Sequence, residues 1–352
     1  MKAIVCEMCS SKDVVKDGDY YVCQNCGTKY TPESARKLMV EVEGKVDVSG
    51  STVKVDTTDS VKRALENARR AKKKEDWEEA EKYYDLVERD EPSNIEAIFY
   101  SAYAKAKTTL VSDDLYRRQA VFKSFGNSIS IVDDNFDVEK EAELRPLVDQ
   151  MVADIILMSG SSFVYTITKN GEGKVTGNNA GETYYLFGLM EQELAESLVN
   201  IAKKLQDVQN DTAANHYYVC AKTLLCSINA NHMKSSEWKD VRRKKLIGIA
   251  EVQTGINKQS ALDTYKAVLA DYQADNEYPA LWDTKYKAPF ENVLSRIEKL
   301  DPSFDTESER GMKREALAQA VKKEQKKRAG CIVLGIILIA VCIAIGVIIA
   351  IS

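Results

Sequence analysis

Three regimes of hydrophobicity follow one another along the chain. Through positions 60–306, apolar residues recur at intervals of three and four, the spacing that gathers them on one face of an α-helix. Positions 313–328 then hold seven Lys or Arg against two acidic residues, and positions 331–351, CIVLGIILIAVCIAIGVIIAI, hold no charge at all. The other end of the chain has a different rhythm. Positions 13–22 read as two short strands around an Asp17-Gly18 turn, and positions 41–56 alternate Val with polar residues around Ser49-Gly50-Ser51. The predicted fold is therefore mainly α. A small β-ribbon occupies 1–32, a linker with a possible β-hairpin 33–59, and helical hairpins 60–306. A charged helix follows over 307–330 and a single transmembrane helix over 331–351.

The span is predicted from length. Twenty-one helical residues cover about 32 Å, enough for a hydrocarbon layer of ~30 Å. A buried core helix of that length carries a polar face, and this segment has none. Lys322, Lys323, Lys326, Lys327 and Arg328 stand just before it. By the positive-inside rule they hold residues 1–328 on the cytoplasmic side of a cell membrane as a single-pass tail anchor, and they supply contacts for anionic lipid. The N-terminus has no apolar run or cleavage site of the kind a secretory signal needs.

Composition sharpens the N-terminal end. Of the eight cysteines, Cys6, Cys9, Cys23 and Cys26 form two C-x2-C pairs separated by 13 residues. Such pairs turn four thiolates toward one tetrahedral ion, and strands between them are how a ribbon closes the site. Zn2+ is the expected cofactor, in a structural role, because four thiolates leave no position for water or substrate. Cys220, Cys226, Cys331 and Cys342 are scattered among apolar neighbours and read as small packing residues. This distribution fits a reducing compartment.

The segment from Tyr21 to Tyr30 that carries Cys23 and Cys26, taken with the 46–56 stretch, resembles the opening of bacterial proteins that join a zinc ribbon to tetratricopeptide-like helices and a C-terminal membrane anchor. The resemblance covers mainly residues 1–107. It implies Cys6, Cys9, Cys23 and Cys26 as zinc ligands and implies no particular activity. Within 61–106, Asp76-Trp77-Glu78-Glu79-Ala80 at a turn, then Tyr84, Val87 and Pro92, match a tetratricopeptide repeat. Ala68 and Ala80 would let the paired helices approach, with Tyr84 filling the groove between them. The pattern returns twice in degenerate form. Asp76/Ala80/Tyr84/Val87 is echoed by Asn210/Ala214/Tyr218/Ala221 and by Asn257/Ala261/Tyr265/Val268, which predicts irregular hairpins without a uniform period.

Residues 159–182 break the helical rhythm with Gly160, Gly171, Gly173, Gly177 and Gly181 and read as a loop. That loop lacks the spacing of a dinucleotide or Walker site. His216 and His232 are the only imidazoles, and neither falls in a recognised catalytic arrangement; His216 reads as a packing or surface residue and His232 as a helix cap. The Lys72-Lys73-Lys74 run and the many glutamates read as solvated helix faces. The expected function is accordingly non-enzymatic: a membrane-anchored scaffold or adaptor that holds a protein or peptide in a helical groove. An adaptor for nucleic acid or the transcription apparatus, acting through the ribbon, is the alternative. The formal net charge of −5 argues against a broad nucleic-acid surface.

Overall fold

The computed structural model describes residues 2–4, 14–17, 20–24, 29–31, 39–41, 58–109, 115–169, 178–227, 236–276 and 279–351 of the 352-residue chain; for 2–4, 17, 39–41, 58, 115–116, 118–119, 160–169, 178–189, 236–238, 328 and 330–351 it describes the backbone alone. Residues 1–63 and 64–352 form two compact units.

Among the described residues the first unit contains five short strands. β2 (Val14–Asp17) and β3 (Tyr20–Cys23) pair antiparallel, with Val14 opposite Cys23 and Asp17 opposite Tyr20, and β4 (Lys29–Tyr30) adds to the far edge of β3. The strands expected over 13–22 are thus present, with their connection at 18–19. Asp17, expected in the turn, pairs with Tyr20 across the sheet. β1 (Lys2–Ile4) pairs antiparallel with β5 (Met39–Glu41), a long-range pairing that local alternation does not reveal. The linker or hairpin expected over 41–56 lies outside the described residues apart from Glu41.

Helices make up the rest: α1 (Thr58–Lys73), α2 (Trp77–Asp90), α3 (Ile95–Thr109), α4 (Leu115–Ser130), α5 (Glu141–Lys169), α6 (Asn178–Asp207), α7 (Asp211–Ser227), α8 (Ser236–Ile256), α9 (Lys258–Ala274), α10 (Lys287–Leu300) and α11 (Thr306–Ile351). The helices pack most extensively in the successive pairs α2/α3, α6/α7 and α8/α9, and α4 packs against α6 as well as α3. The three recurrent sets mark the starts of α2, α7 and α9. Each opens with an N-cap whose side chain accepts from a backbone N–H three residues on: Asp76 from Glu79 at 3.3 Å, Asn210 from Ala213 at 3.2 Å and Asn257 from Ser260 at 3.0 Å. The alanine four on, the tyrosine eight on and the apolar residue eleven on are buried in every case.

The turns before α2 and α7 share a further device. Glu75 and Gln209 take left-handed backbone, φ 58° and 61°, while Asp76 N–H reaches back to the Ala71 carbonyl and Asn210 N–H to that of Leu205. This double turn satisfies carbonyls at the end of the preceding helix. A Cβ at such a φ carries a steric cost that glycine avoids.

Two sequence expectations change. Of the loop expected over 159–182, residues 159–169 are helical in α5 and 178–182 in α6, and 170–177 lie outside the described residues. Three of the five glycines fall in that gap. Gly160 and Gly181 are single helix positions, each costing only about 1 kcal/mol, which propagation of the helix absorbs. The second change concerns the tail. The backbone of 331–351 is helical and continuous with the charged 307–330 stretch in α11, but among the described residues no helix is long and apolar enough to cross a membrane. The side chains of the apolar run lie outside that description.

The N-terminal part of α11 is docked on α9. Lys313 is buried, and its ammonium donates to the Tyr272 and Asp275 carbonyls at 2.7 Å and to Asn276 Oδ1 at 2.8 Å. Gln273 donates to the Glu309 carbonyl at 2.9 Å. Beside this latch Arg243 is also buried, held by Asp271 at 3.0 Å and Asp275 at 2.7 Å, with its guanidinium 4.2 Å from the Tyr272 ring centroid.

Adjacent substitutions before α7 have opposite expected signs. Gln209→Gly should raise the unfolding free energy by up to about 1 kcal/mol by relieving the left-handed Cβ, and Asn210→Ala should lower it by about 1 kcal/mol through loss of the cap. Urea denaturation of the full chain in detergent checks both.

Candidate functional site: grooves, buried polar groups and thiols

Hairpins built on alanine contacts leave grooves where larger side chains splay apart. Between α6, α7 and α8 lies a groove of about 460 Å³ with a floor of Ala195, Val199, Leu225, Ile249 and Val252. Lys203 and the Glu196–Lys245 ion pair stand on its walls. Gly248 also lines it, and a Cβ placed there would meet nothing within 4 Å. A second groove of about 580 Å³, between α2, α3 and α4, is more polar and includes Asp85, Glu88, Arg89 and Lys105 beside Val121 and Phe125.

The tyrosine of each recurrent set ties its helix to a neighbour. Tyr84 donates to Glu96 on α3 at 3.1 Å, Tyr218 donates to Gln206 on α6 at 2.8 Å, and Tyr265 accepts from Arg296 on α10 at 2.9 Å. Burial, with the Glu96 charge adding to it, pushes the Tyr84 phenol well above its usual range, so it stays neutral and donates.

Several charged residues read as solvated are instead engaged. Glu96 is buried and takes the Arg69 guanidinium through Nε at 2.9 and 3.1 Å as well as the Tyr84 hydroxyl. Of the Lys72-Lys73-Lys74 run, Lys73 and Lys74 are exposed as expected, whereas Lys72 places its ammonium 3.5 Å from the Tyr100 ring centroid and 3.8 Å from Asp154. Its aliphatic stem makes such half-burial inexpensive. Burial lowers the Lys72 pKa, with Asp154 opposing.

Glu191 on α6 is 1% exposed. The Ser227 hydroxyl donates to its Oε1 at 3.4 Å, and Oε2 has no hydrogen-bond partner among the described residues. Burial pushes this carboxyl up to about 7, against the pull of hydrogen bonds from Ser159 and Ser227.

Of the expected zinc ligands, Cys23 is buried at the end of β3, while Cys6, Cys9 and Cys26 lie outside the described residues. Among the described residues the one grouping of metal-ligating side chains is another: Asp149 on α5 with His216 and Cys220 on α7. His216 Nε2 lies 2.7 Å from Asp149 Oδ1, and the Cys220 sulfur lies 3.7 Å from both. Burial, followed by the Asp149 charge, pushes the Cys220 thiol up to about 12. His216 thus does more than pack. The signal for it was present in the sequence as a His-x3-Cys spacing, which sets both side chains on one helix face; Asp149, 67 positions away, carries no local signal. Cys226, read as a buried packing residue, is exposed, turned about 100° away from the buried Leu225 on α7. His232 lies outside the described residues.

No protein-family model matches the chain, and no curated protein matches it.

Glu191 makes stability pH-dependent with a defined sign. Its folded pKa lies above the ordinary value of 4.5, so the stabilisation is complete below 4.5 and is lost as pH rises through about 7. The loss is on the order of 3 kcal/mol. Glu191→Gln should unfold at a higher temperature than the parent at pH 8 and at a similar one at pH 4, as read by circular dichroism.

Proposed function

We propose that the chain is a membrane-anchored cytoplasmic scaffold. Its groove between α6, α7 and α8 receives a peptide segment from a partner protein, a structural zinc held by Cys6, Cys9, Cys23 and Cys26 organises the N-terminal ribbon, and residues 331–351 fix the assembly in a bilayer. The groove carries this reading. Its apolar floor suits an aliphatic or aromatic anchor residue, and Lys203 beside it suits an acidic residue flanking that anchor. The capped helix starts at Asp76, Asn210 and Asn257, each followed by a buried Ala and Tyr, support a tetratricopeptide-like description of the hairpins, a class of fold that offers concave faces to peptides. For the ribbon, the support is the β2/β3 hairpin that ends at Cys23, a strand pair of the kind by which such ribbons close. For the anchor, the support is the uncharged 331–351 run behind a basic stretch on one continuous helix.

Gly248 provides the test, since it lines the groove and a Cβ added there meets no atom within 4 Å. Crosslinking in native membranes should retrieve a reproducible protein partner with the parent chain, and Gly248→Leu should lose it at least tenfold while keeping the parent's unfolding temperature or exceeding it. Equal recovery by both chains would remove the groove from the function. Ending the chain after residue 328 should release it from membranes into the aqueous fraction on centrifugation.

A further inference from the structure

The geometry points to a metal site on the helical unit that is separate from the N-terminal thiolates: we propose that Asp149, His216 and Cys220 together bind a divalent ion of zinc-like chemistry, leaving a fourth position open to solvent. Three observations converge on it. The first is placement: one turn of α7 separates His216 from Cys220, and α5 packs against α7 so that Asp149 faces both.

The second is spacing. A tetrahedral zinc bound at ~2.0 Å to nitrogen and oxygen and ~2.3 Å to sulfur needs its donors about 3.3–3.6 Å apart. The two sulfur edges of the triangle, 3.7 Å each, lie within about 0.2 Å of the length needed. The remaining edge is the 2.7 Å hydrogen bond between His216 and Asp149, which must open by roughly 0.6 Å as the ion takes the proton's place. On ligation the thiol proton leaves to water, and the imidazole proton moves from Nε2 to Nδ1, so that a neutral imidazole, a thiolate and a carboxylate face the ion.

The third is charge. Carboxylate and thiolate together balance a divalent cation. The cation one turn before Asp149 on α5, Arg145, is occupied by Glu141 at 2.7 and 2.9 Å, so it does not compete for the same oxygen atoms. The His216 and Asp149 side chains are about one-third and under one-half exposed, which gives an ion a path from solvent. Mixed sulfur, nitrogen and oxygen donors favour zinc or cobalt over magnesium or calcium. Bound there, the ion would clip α5 to α7.

Cobalt(II) titration of the full chain in detergent, read through the tetrahedral d–d and thiolate-to-metal charge-transfer bands, separates this site from the N-terminal one. The parent should take up two equivalents. His216→Ala should take up one, and a chain with Cys6, Cys9, Cys23 and Cys26 all replaced by Ser should retain one. Asp149→Asn, nearly isosteric and solvent-facing, should weaken the retained equivalent at least tenfold in that four-serine background without changing helicity. Equal uptake by the parent and His216→Ala, or a four-serine chain that binds no cobalt, would overturn the proposal. Failure of the N-terminal site alone would show instead as one equivalent in the parent, retained by the four-serine chain and lost in His216→Ala.

Discussion

Close approach of helices at alanine is the constraint from which the helical unit is built. Ala80, Ala214 and Ala261 are fully buried, each one turn ahead of a tyrosine whose ring is buried with it. A small residue lets the partner backbone come near, and the tyrosine then fills the space that opens further along. Its hydroxyl brings an obligation, because a buried O–H without a partner costs on the order of 1–3 kcal/mol. Each set meets that obligation differently, through a glutamate, a glutamine or an arginine on a neighbouring helix. Three hairpins with the same apolar core therefore need different polar partners, and this diversity hides the repeat from a simple period search.

What was legible in the sequence follows from how far apart the deciding residues stand. The recurrent Asp or Asn, Ala, Tyr and apolar positions and the β2/β3 strands all rest on contacts within a dozen positions, and they are present where the pattern placed them, the Asp or Asn serving as helix caps. The β1/β5 pairing joins residues nearly 40 positions apart and left no local trace. Charge was the least legible property. A glutamate on a helix reads as solvated until a neighbour is known, and Glu96 has Arg69 and Tyr84 as neighbours, whereas Glu191 has two serines. The same holds for the Asp149–His216–Cys220 group, half visible as a spacing on α7 and half supplied by α5.

Charge burial is concentrated where α8, α9 and α11 meet. Arg242 and Arg243 share Asp271, Arg243 also takes Asp275, and Lys239 reaches Asp275 at 3.1 Å. A buried ion network of this kind adds little net stability over an apolar core of equal volume, but losing one member leaves an uncompensated charge. Its strength lies in directional demand: two carboxylates receive donors from one helix and fix how α8 lies along α9.

The Lys313 latch has a mechanical corollary. From Thr306 to Ile351 the backbone is one helix, so the stretch between Lys313 and residue 331, about 27 Å long, has no swivel. A torque or tilt applied at the far end travels down a stiff rod to the ammonium and its three oxygen acceptors at the close of α9. Those acceptors lie beside the carboxylates that hold Arg243, so the helix tail and the packing of α8 on α9 share one fulcrum.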